Sequence, residues 1–345
     1  MTDRLRVVVA TALAEEHVAM IRQREPRLEI VYEPSLLPEP GINWMHRETL
    51  DAAAQARFDE LLDTAEALYG VPDHSSSALT RTVAANPGLR WVHTIPAGGG
   101  QQIKAANLGR ADLERIVFTT SAGVHATPLA EFAVFGVFAG AKEITLLEDA
   151  RRRGVWGPRR ALGLVADQTV VVVGLGSIGR VTAEKLAALG CRVVGVHRRE
   201  VEAEGVAQIL PVERLAEAVA EADAVVLALP QTAETDGMLS RAVLAAVKPG
   251  ITVINVGRGS TVDEPALIEA LQDGRVGLAV LDVTAVEPPE PDNPLWTLPN
   301  VILSPHSAAI SVHESRLIAE LFADNAGRFL DGRPMRNRVN IDEFY

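Results

Sequence analysis

Between Val170 and Glu200 the chain reads VVVVGLGSIGRVTAEKLAALGCRVVGVHRRE. Four consecutive valines have the composition of a strand buried on both faces, and they run directly into three spaced glycines, Gly174, Gly176 and Gly179. A helix-like run follows, and then a second apolar strand that ends in His197, Arg198 and Arg199. A lone G-x-G-x-x-G is weak evidence, because glycines recur in many turns. Set between a strand and a helix, each glycine has a distinct role. Gly174 makes the tight turn, Gly176 lets the backbone approach a pyrophosphate, and Gly179 lets the helix pack closely on the sheet. The free N–H groups and positive dipole end at the helix start supply the anion site.

The tip of the second strand is where an Asp or Glu normally holds the adenosine ribose hydroxyls of NAD. Here it is His197, which does not repel a 2′-phosphate as a carboxylate would, and Arg198 and Arg199 are cations that can pair with one. The expectation is a cofactor site that favours NADP(H) over NAD(H). The competing reading is a solvated basic loop beside an ordinary NAD site, with Glu200 close by.

Outward from this stretch the rhythm repeats. TVVVVGL, CRVVGV, DAVVLALP, ITVINV, VGLAVLDV and NVILSPH are six strand-like runs at regular intervals, the pattern of a doubly wound dinucleotide fold. The first third alternates in the same way, with RLRVVVA, LEIVYE, ALYGV, LRWVHTI and RIVFTT as strands and LAEEHVAMIRQR as an amphipathic helix. Between Glu33 and Arg57 the pattern breaks into a Pro-containing loop that passes into a helix and reads as an insertion. A long helix beginning PLAEFAVFGVFAGAKEI joins the two series, and SVHESRLIAELFADNAGRFLDG forms a final helix with nothing strand-like after it.

At 345 residues the chain is long enough for two domains. Its net charge of −12 argues against a general nucleic-acid surface. The start, MTDRLRVVVATAL, lacks a basic n-region and reads as a first strand rather than a signal peptide, and FAVFGVFAGA is too short to span a bilayer. The single cysteine, Cys191, excludes an internal disulfide and reads as a small buried core residue. A reduced, cytoplasmic setting is expected, and no His, Cys and carboxylate set has metal-site spacing.

Three later segments place reactive groups just past strand ends, where ligands bind in open α/β sheets. INVGRGSTVDEPAL presents Arg258 in a glycine-flanked turn, LDVTAVEPPEPDNPLW places Asp282 at a strand end and Glu287 before a proline pair, and PNVILSPHSAA puts His306 at another strand end. Reduction of a 2-oxo acid needs a hydride donor, a cation for the carboxylate and a proton for the developing alkoxide. Arg258 offers the planar donor fork and His306 an imidazole that titrates near neutrality. Of the remaining histidines, His93 reads as a satisfied strand residue, His46, His74 and His313 as surface positions, and His125 as a residue near the crossing between domains.

Taken together with the glycine turn, these segments make the chain resemble, over nearly its whole length, the D-isomer-specific 2-hydroxyacid dehydrogenases, a family that includes phosphoglycerate dehydrogenases and glyoxylate/hydroxypyruvate reductases. The resemblance implies that Arg258 of the N-x-x-R-G turn binds the substrate carboxylate, that Glu287 pairs with the catalytic histidine, and that His306 is the acid or base. It implies cofactor contacts from Ser177 and Ile178 at the pyrophosphate, from Pro230, from Val256 and Gly257 near the nicotinamide, from Asp282 at the carboxamide, and from Ala308. The stretch AGGG resembles the family's substrate loop, whose backbone N–H groups at Gly98 and Gly99 would hold the same carboxylate.

The expected fold is α/β with two Rossmann-like doubly wound domains: a flavodoxin-like substrate domain, discontinuous over 1–119 and 310–345, and an NAD(P)-binding domain over 120–309, with the active site in the cleft between them. The expected activity is NAD(P)H-dependent reduction of a small glyoxylate- or hydroxypyruvate-like 2-oxo acid to the D-2-hydroxy acid. By resemblance the chain is a homodimer, with the arm around LLEDARRRGVWGPRRALG crossing to the partner. Two alternatives share the fold, a cofactor-sensing corepressor-like binding protein and a phosphite dehydrogenase-like enzyme. The departures from the family pattern are His197 at the usually acidic position and the 33–57 insertion. Glu287, where formate dehydrogenases of the superfamily carry Gln, argues against formate oxidation.

Overall fold

The computed structural model describes residues 4–39 and 50–344. The chain divides into two compact units, Met1–Val124 with Ser311–Tyr345, and His125–Ile310. The first boundary follows Val124 rather than residue 119, because the turn after the fifth strand still belongs to the first unit: the Ser121 hydroxyl donates to the Thr94 carbonyl at 3.1 Å and lies 3.2 Å from His93 Nε2.

The first unit is built on β1 (Leu5–Val9), β2 (Leu28–Val31), β3 (Ala67–Tyr69), β4 (Trp91–Thr94) and β5 (Val117–Thr120), all parallel in the order β2-β1-β3-β4-β5. This is the flavodoxin-like order. Alternation along each strand sends Val8, Leu68, Val92 and Phe118 to one core, and Val7, Val9, Tyr69 and Trp91 to the other. The helix Glu314–Leu330 covers the second face, with Phe322 stacked on Trp91 at 4.5 Å between ring centroids. That contact brings the end of the chain back to the unit in which it began. The stretch after this helix is not wholly free of strand pairing, since Arg338 forms an isolated antiparallel bridge to Thr119. Part of the 33–57 insertion, residues 40–49 with His46, lies outside the described residues. Its ends are joined by an ion pair between Glu33 and Arg57 at 2.7 Å, and the helix Ala52–Leu62 is capped by Asp51, which accepts from the Ala54 N–H at 2.8 Å.

The second unit contains β6 (Thr169–Val173), β7 (Arg192–Val196), β8 (Gln208–Leu210), β9 (Ala224–Leu227), β10 (Ile251–Asn255), β11 (Val276–Leu281) and β12 (Val301–Leu303). The seven strands are parallel in the order β12-β11-β10-β9-β6-β7-β8. Six of them are evident in the sequence. The seventh, β8, is a three-residue edge strand whose apolar run is interrupted by Gln208 and closed by Pro211. The strand order reverses between β6 and β9, which is where a doubly wound sheet opens a crevice at its carboxyl edge.

Both faces of this sheet are covered: Val171, Val173 and Leu227 enter one core, and Val170, Val172 and Val226 the other. The helix Ala126–Ala141 lies close on the second face, where a Cβ at Gly136 would come within 2.6 Å of Ile254 and one at Gly140 within 2.0 Å of Thr252 Oγ1. The helical run ends at Glu143, whose φ of 50° breaks it, and a second helix spans Ile144–Arg152. Among the described residues no helix is long and apolar enough to cross a membrane. Nor does any group of three or more His, Cys, Asp and Glu among them have the arrangement to hold a metal ion.

Candidate active site

Gly174 leaves β6 with φ of 94°, a left-handed conformation that favours glycine, and a Cβ there would strike the Ala228 carbonyl oxygen at 2.7 Å. Gly179 is excluded from any other identity by contact, because its Cβ would lie 1.8 Å from the Gly174 carbonyl oxygen. Gly176 is different: a Cβ there would meet no protein atom within 4 Å. Packing inside the protein therefore does not demand a glycine at 176, whereas close approach of an anion to the backbone does. Gly176 is the N-cap of the twelve-residue helix Ser177–Ala188, so Ser177 and Ile178 form its first turn. These residues fit the pyrophosphate of a dinucleotide.

The His197 backbone N–H extends the β7–β8 pairing by donating to the Leu210 carbonyl at 3.0 Å, and its ring turns inward, with Nδ1 accepting the Leu175 N–H at 3.3 Å. Partial burial lowers its pKa, as do the charges of Arg180, Arg198 and Arg199. Arg198 and Arg199 are exposed at the strand end, and Arg198 Nη1 lies 4.0 Å from Glu234 Oε2. Nothing in the sequence singles out Arg180, although it directly follows Gly179; its Nε donates to the Leu175 carbonyl at 3.0 Å. Pro230 stands after β9, with its carbonyl oxygen accepting from Thr235 Oγ1 at 2.6 Å.

Past β10 the chain makes a turn braced by Asn255. Its Oδ1 accepts the Gly257 N–H at 3.0 Å and its Nδ2 donates to the Arg258 carbonyl at 3.0 Å, where the Thr261 hydroxyl also donates at 2.6 Å. Asn255 is buried and was legible as the first residue of the N-x-x-R-G turn, but its bracing role was not. Val256 is buried, and Gly257 passes so close to Leu229 that a Cβ would sit 2.6 Å from its carbonyl oxygen. The fixed backbone leaves the Arg258 side chain exposed, with Nη1 donating to the Gly257 carbonyl at 2.8 Å. Gly259 ties this turn to the next loop, since its Cβ would fall 1.8 Å from the Thr284 carbonyl oxygen.

Asp282, at the end of β11, is buried. Its Oδ1 accepts from Ser304 Oγ at 2.7 Å and from the Ser307 and Ala308 N–H groups at 2.9 Å each, while its carbonyl accepts the His306 N–H at 3.0 Å. One buried carboxylate thus shapes the whole turn in which His306 stands with φ of 53°. That left-handed conformation is costly for a non-glycine residue and is held by these bonds.

His306 Nδ1 meets Glu287 Oε2 at 2.6 Å, and Glu287 Oε1 accepts the Thr284 N–H at 3.2 Å. An ionised carboxylate only accepts, so this geometry suits a proton on Nδ1 and leaves Nε2 as the nitrogen without a carboxylate partner. Glu287 and His306 are paired past β11 and β12, and the turn that carries Arg258 past β10 lies against the Glu287 loop through the close approach of Gly259 to Thr284.

The model of the D-isomer specific 2-hydroxyacid dehydrogenase NAD binding domain matches residues 134–308, which include every one of these groups. The chain belongs to that family. Among curated members of the family, the D-3-phosphoglycerate dehydrogenase of Archaeoglobus fulgidus is 32% identical over 321 residues, which cover 90% of this chain and 59% of that protein. The glyoxylate reductase of Korarchaeum cryptofilum is 36% identical over 234 residues, covering 65% of this chain and 69% of that one. The chain thus spans little more than half the length of its phosphoglycerate dehydrogenase relative. A family member from Xanthobacter autotrophicus Py2, solved in complex with NADPH and MES, superposes with a TM-score of 0.77 at 29% identity over 99% of this chain and all of that one.

In the first unit the AGGG turn follows β4. Gly99 is buried and its N–H donates to the Pro96 carbonyl at 3.1 Å, so it is already engaged within the turn; Gly98 is exposed. His93 is fully buried, with Nδ1 2.9 Å from Thr119 Oγ1, and burial lowers its pKa to about 3. His74 is not the surface residue expected from sequence. It is half-buried, 2.6 Å from Thr11 Oγ1 through Nε2, and burial lowers its pKa to about 4. His125 is buried at the N-cap of the helix Ala126–Ala141, and His313 is exposed at the N-cap of the last helix. Cys191 is buried, donates to the Val165 carbonyl at 3.1 Å and has its pKa raised by burial, as befits a core thiol.

Proposed function

We propose that this chain is an NAD(P)H-dependent reductase of small 2-oxo acids of the glyoxylate or hydroxypyruvate kind, giving the D-2-hydroxy acid. The observation that carries the reading is the 2.6 Å pairing of His306 Nδ1 with Glu287 in a turn shaped by buried Asp282. Family membership and the glyoxylate reductase relative support it. The bound dinucleotide supplies the hydride. Arg258 binds the substrate carboxylate through its planar fork, and His306 Nε2 gives the proton to the oxygen that becomes the alcohol. Glu287 accepts from Nδ1–H and orients the ring, so that Nε2 of the doubly protonated ring is the nitrogen that gives the proton. Gly98 of the first unit, whose turn-mate Gly99 is already engaged, is the proposed further backbone donor to a carboxylate. Oxidation of NADPH and NADH followed at 340 nm with a panel of 2-oxo acids tests the reading; no turnover with any of them would overturn it.

The preferred dinucleotide in this proposal is NADP(H). Support comes from the absence of a carboxylate at position 197, from the exposed Arg198 and Arg199, and from the Xanthobacter relative solved with NADPH. If one guanidinium contact to a 2′-phosphate contributes about 1.5 to 3 kcal/mol, NADPH is preferred by more than about tenfold. Equal or better kcat/KM with NADH at moderate ionic strength would reject this preference. The reading extends to a homodimer, supported by the exposed Leu146, Leu147, Val155 and Trp156 on and after the helix Ile144–Arg152. Light scattering should give twice the monomer mass for the unaltered chain and the monomer mass for Leu147→Glu with Trp156→Glu.

A further inference from the structure

Leu175 lies between the first two glycines of the phosphate turn and is held from three sides. Its N–H donates to His197 Nδ1 at 3.3 Å, and its carbonyl accepts from Arg180 Nε at 3.0 Å. Its side chain is buried over β7, where a Cβ at Gly195 would come within 2.7 Å of Leu175 Cδ1. Arg180 is itself anchored, because Nη1 donates to the Glu202 carbonyl in the loop after β7. We infer that Arg180 and His197 are positioning residues that clamp the Leu175 peptide and so preset the glycine turn for a dinucleotide pyrophosphate.

The inference rests on the dinucleotide reading above and gives the strand-tip residue a second role. An Asp at 197 could accept the same N–H, but it would set a negative charge beside an anion site. A neutral imidazole holds the turn without that repulsion. Because Nδ1 accepts, the neutral ring carries its proton on Nε2. The charged groups facing the ring are Arg180, from the glycine-motif helix, and Arg198 and Arg199, from its own strand end. All three are cationic and favour the neutral form on which the clamp depends. The pyrophosphate is common to NADH and NADPH, so loss of the clamp weakens both alike. Loss of Arg198 or Arg199, by contrast, should weaken NADPH more than NADH, because the 2′-phosphate is present in NADPH alone.

The test measures Kd for NADH and NADPH by titration calorimetry, and Leu175 amide exchange by NMR, in the unaltered protein and in His197→Leu, His197→Asn and Arg180→Met. The expected result is that His197→Leu and Arg180→Met each weaken both dinucleotides by about three- to tenfold and speed Leu175 exchange by a similar factor. His197→Asn, which keeps an acceptor near Nδ1, should recover most of both losses. Unchanged affinities, or a loss confined to NADPH, would overturn the clamp while leaving the cofactor reading in place. If the unaltered protein binds neither dinucleotide, the cofactor reading falls and takes the clamp's role with it.

Discussion

His93 and His306 occupy comparable places, one near the end of strand β4 in the first unit and one just past β12 in the second, and they have opposite surroundings. His93 is enclosed by Trp91 and Phe322, with ring centroids 6.3 and 5.6 Å away, and its nitrogens face the hydroxyls of Thr119 and Ser121. Hydroxyls satisfy a neutral ring but do little for a cation, and burial drives the pKa down to about 3. His306 is half exposed and has a carboxylate on Nδ1. The residue type is the same in both places, but only the second has a carboxylate on one nitrogen and a side chain open to solvent. Histidine chemistry is set by what faces each nitrogen rather than by its position at the end of a parallel strand.

The largest effect should separate the two rings. His306→Ala should lower kcat by about 10² to 10⁴-fold, as for a lost general acid, with dinucleotide Kd unchanged, whereas His93→Gln should leave kcat nearly unaltered in whatever fraction folds. Equal losses of kcat in both variants would break the comparison.

Arg258→Ala should cost about 2 to 5 kcal/mol in kcat/KM, with Arg258→Lys recovering only part because an ammonium lacks the fork. Steady-state kinetics with the best 2-oxo acid decides this, and an unchanged value would remove Arg258 from the site. On the buried side, Thr119→Val removes the oxygen that lies 2.9 Å from both His93 Nδ1 and Trp91 Nε1. Urea unfolding should show a loss of about 1 to 3 kcal/mol with no change in kcat.

The most gradual effect is that of pH on stability. The folded values of His93 and His74 lie below the ordinary 6.5, at about 3 and about 4, so below pH 6.5 the unfolded chain takes up protons that the folded chain refuses. Their contribution is therefore complete above about pH 6.5 and is lost as the pH falls toward 4 for His74 and 3 for His93. The slope is at most about 1.4 kcal/mol per pH unit for the fully buried His93 and less for His74. Denaturant midpoints between pH 7.5 and 5 should fall for the unaltered protein and fall less steeply for His93→Gln; parallel slopes would contradict the assignment.

Much of this was legible one residue at a time. Val170 to Val173 announce a strand buried on both faces, and the spacing of Gly174, Gly176 and Gly179 announces the turn, because backbone sterics act locally and a missing Cβ is written in the sequence. The family motif likewise marked Arg258, Glu287 and His306. Strand β8 was illegible because Gln208 and Pro211 break up its apolar run, and Arg180 because a cation after a glycine motif looks like any solvated side chain. His74 looked like a surface residue, since nothing local reveals that Thr11, 63 positions earlier, stands beside it.

The sequence by itself determined the kinds of element, their parallel order and the chemical types available at the strand ends, because these depend on composition and short spacings. Only the tertiary structure decided which groups meet. Asp282 became the organiser of the His306 turn, Asn255 the brace behind Arg258, and His197 an acceptor for the glycine turn rather than a free strand tip. Hydrogen bonds act over about 3 Å, and no pattern along the chain specifies which distant residues folding brings to that distance.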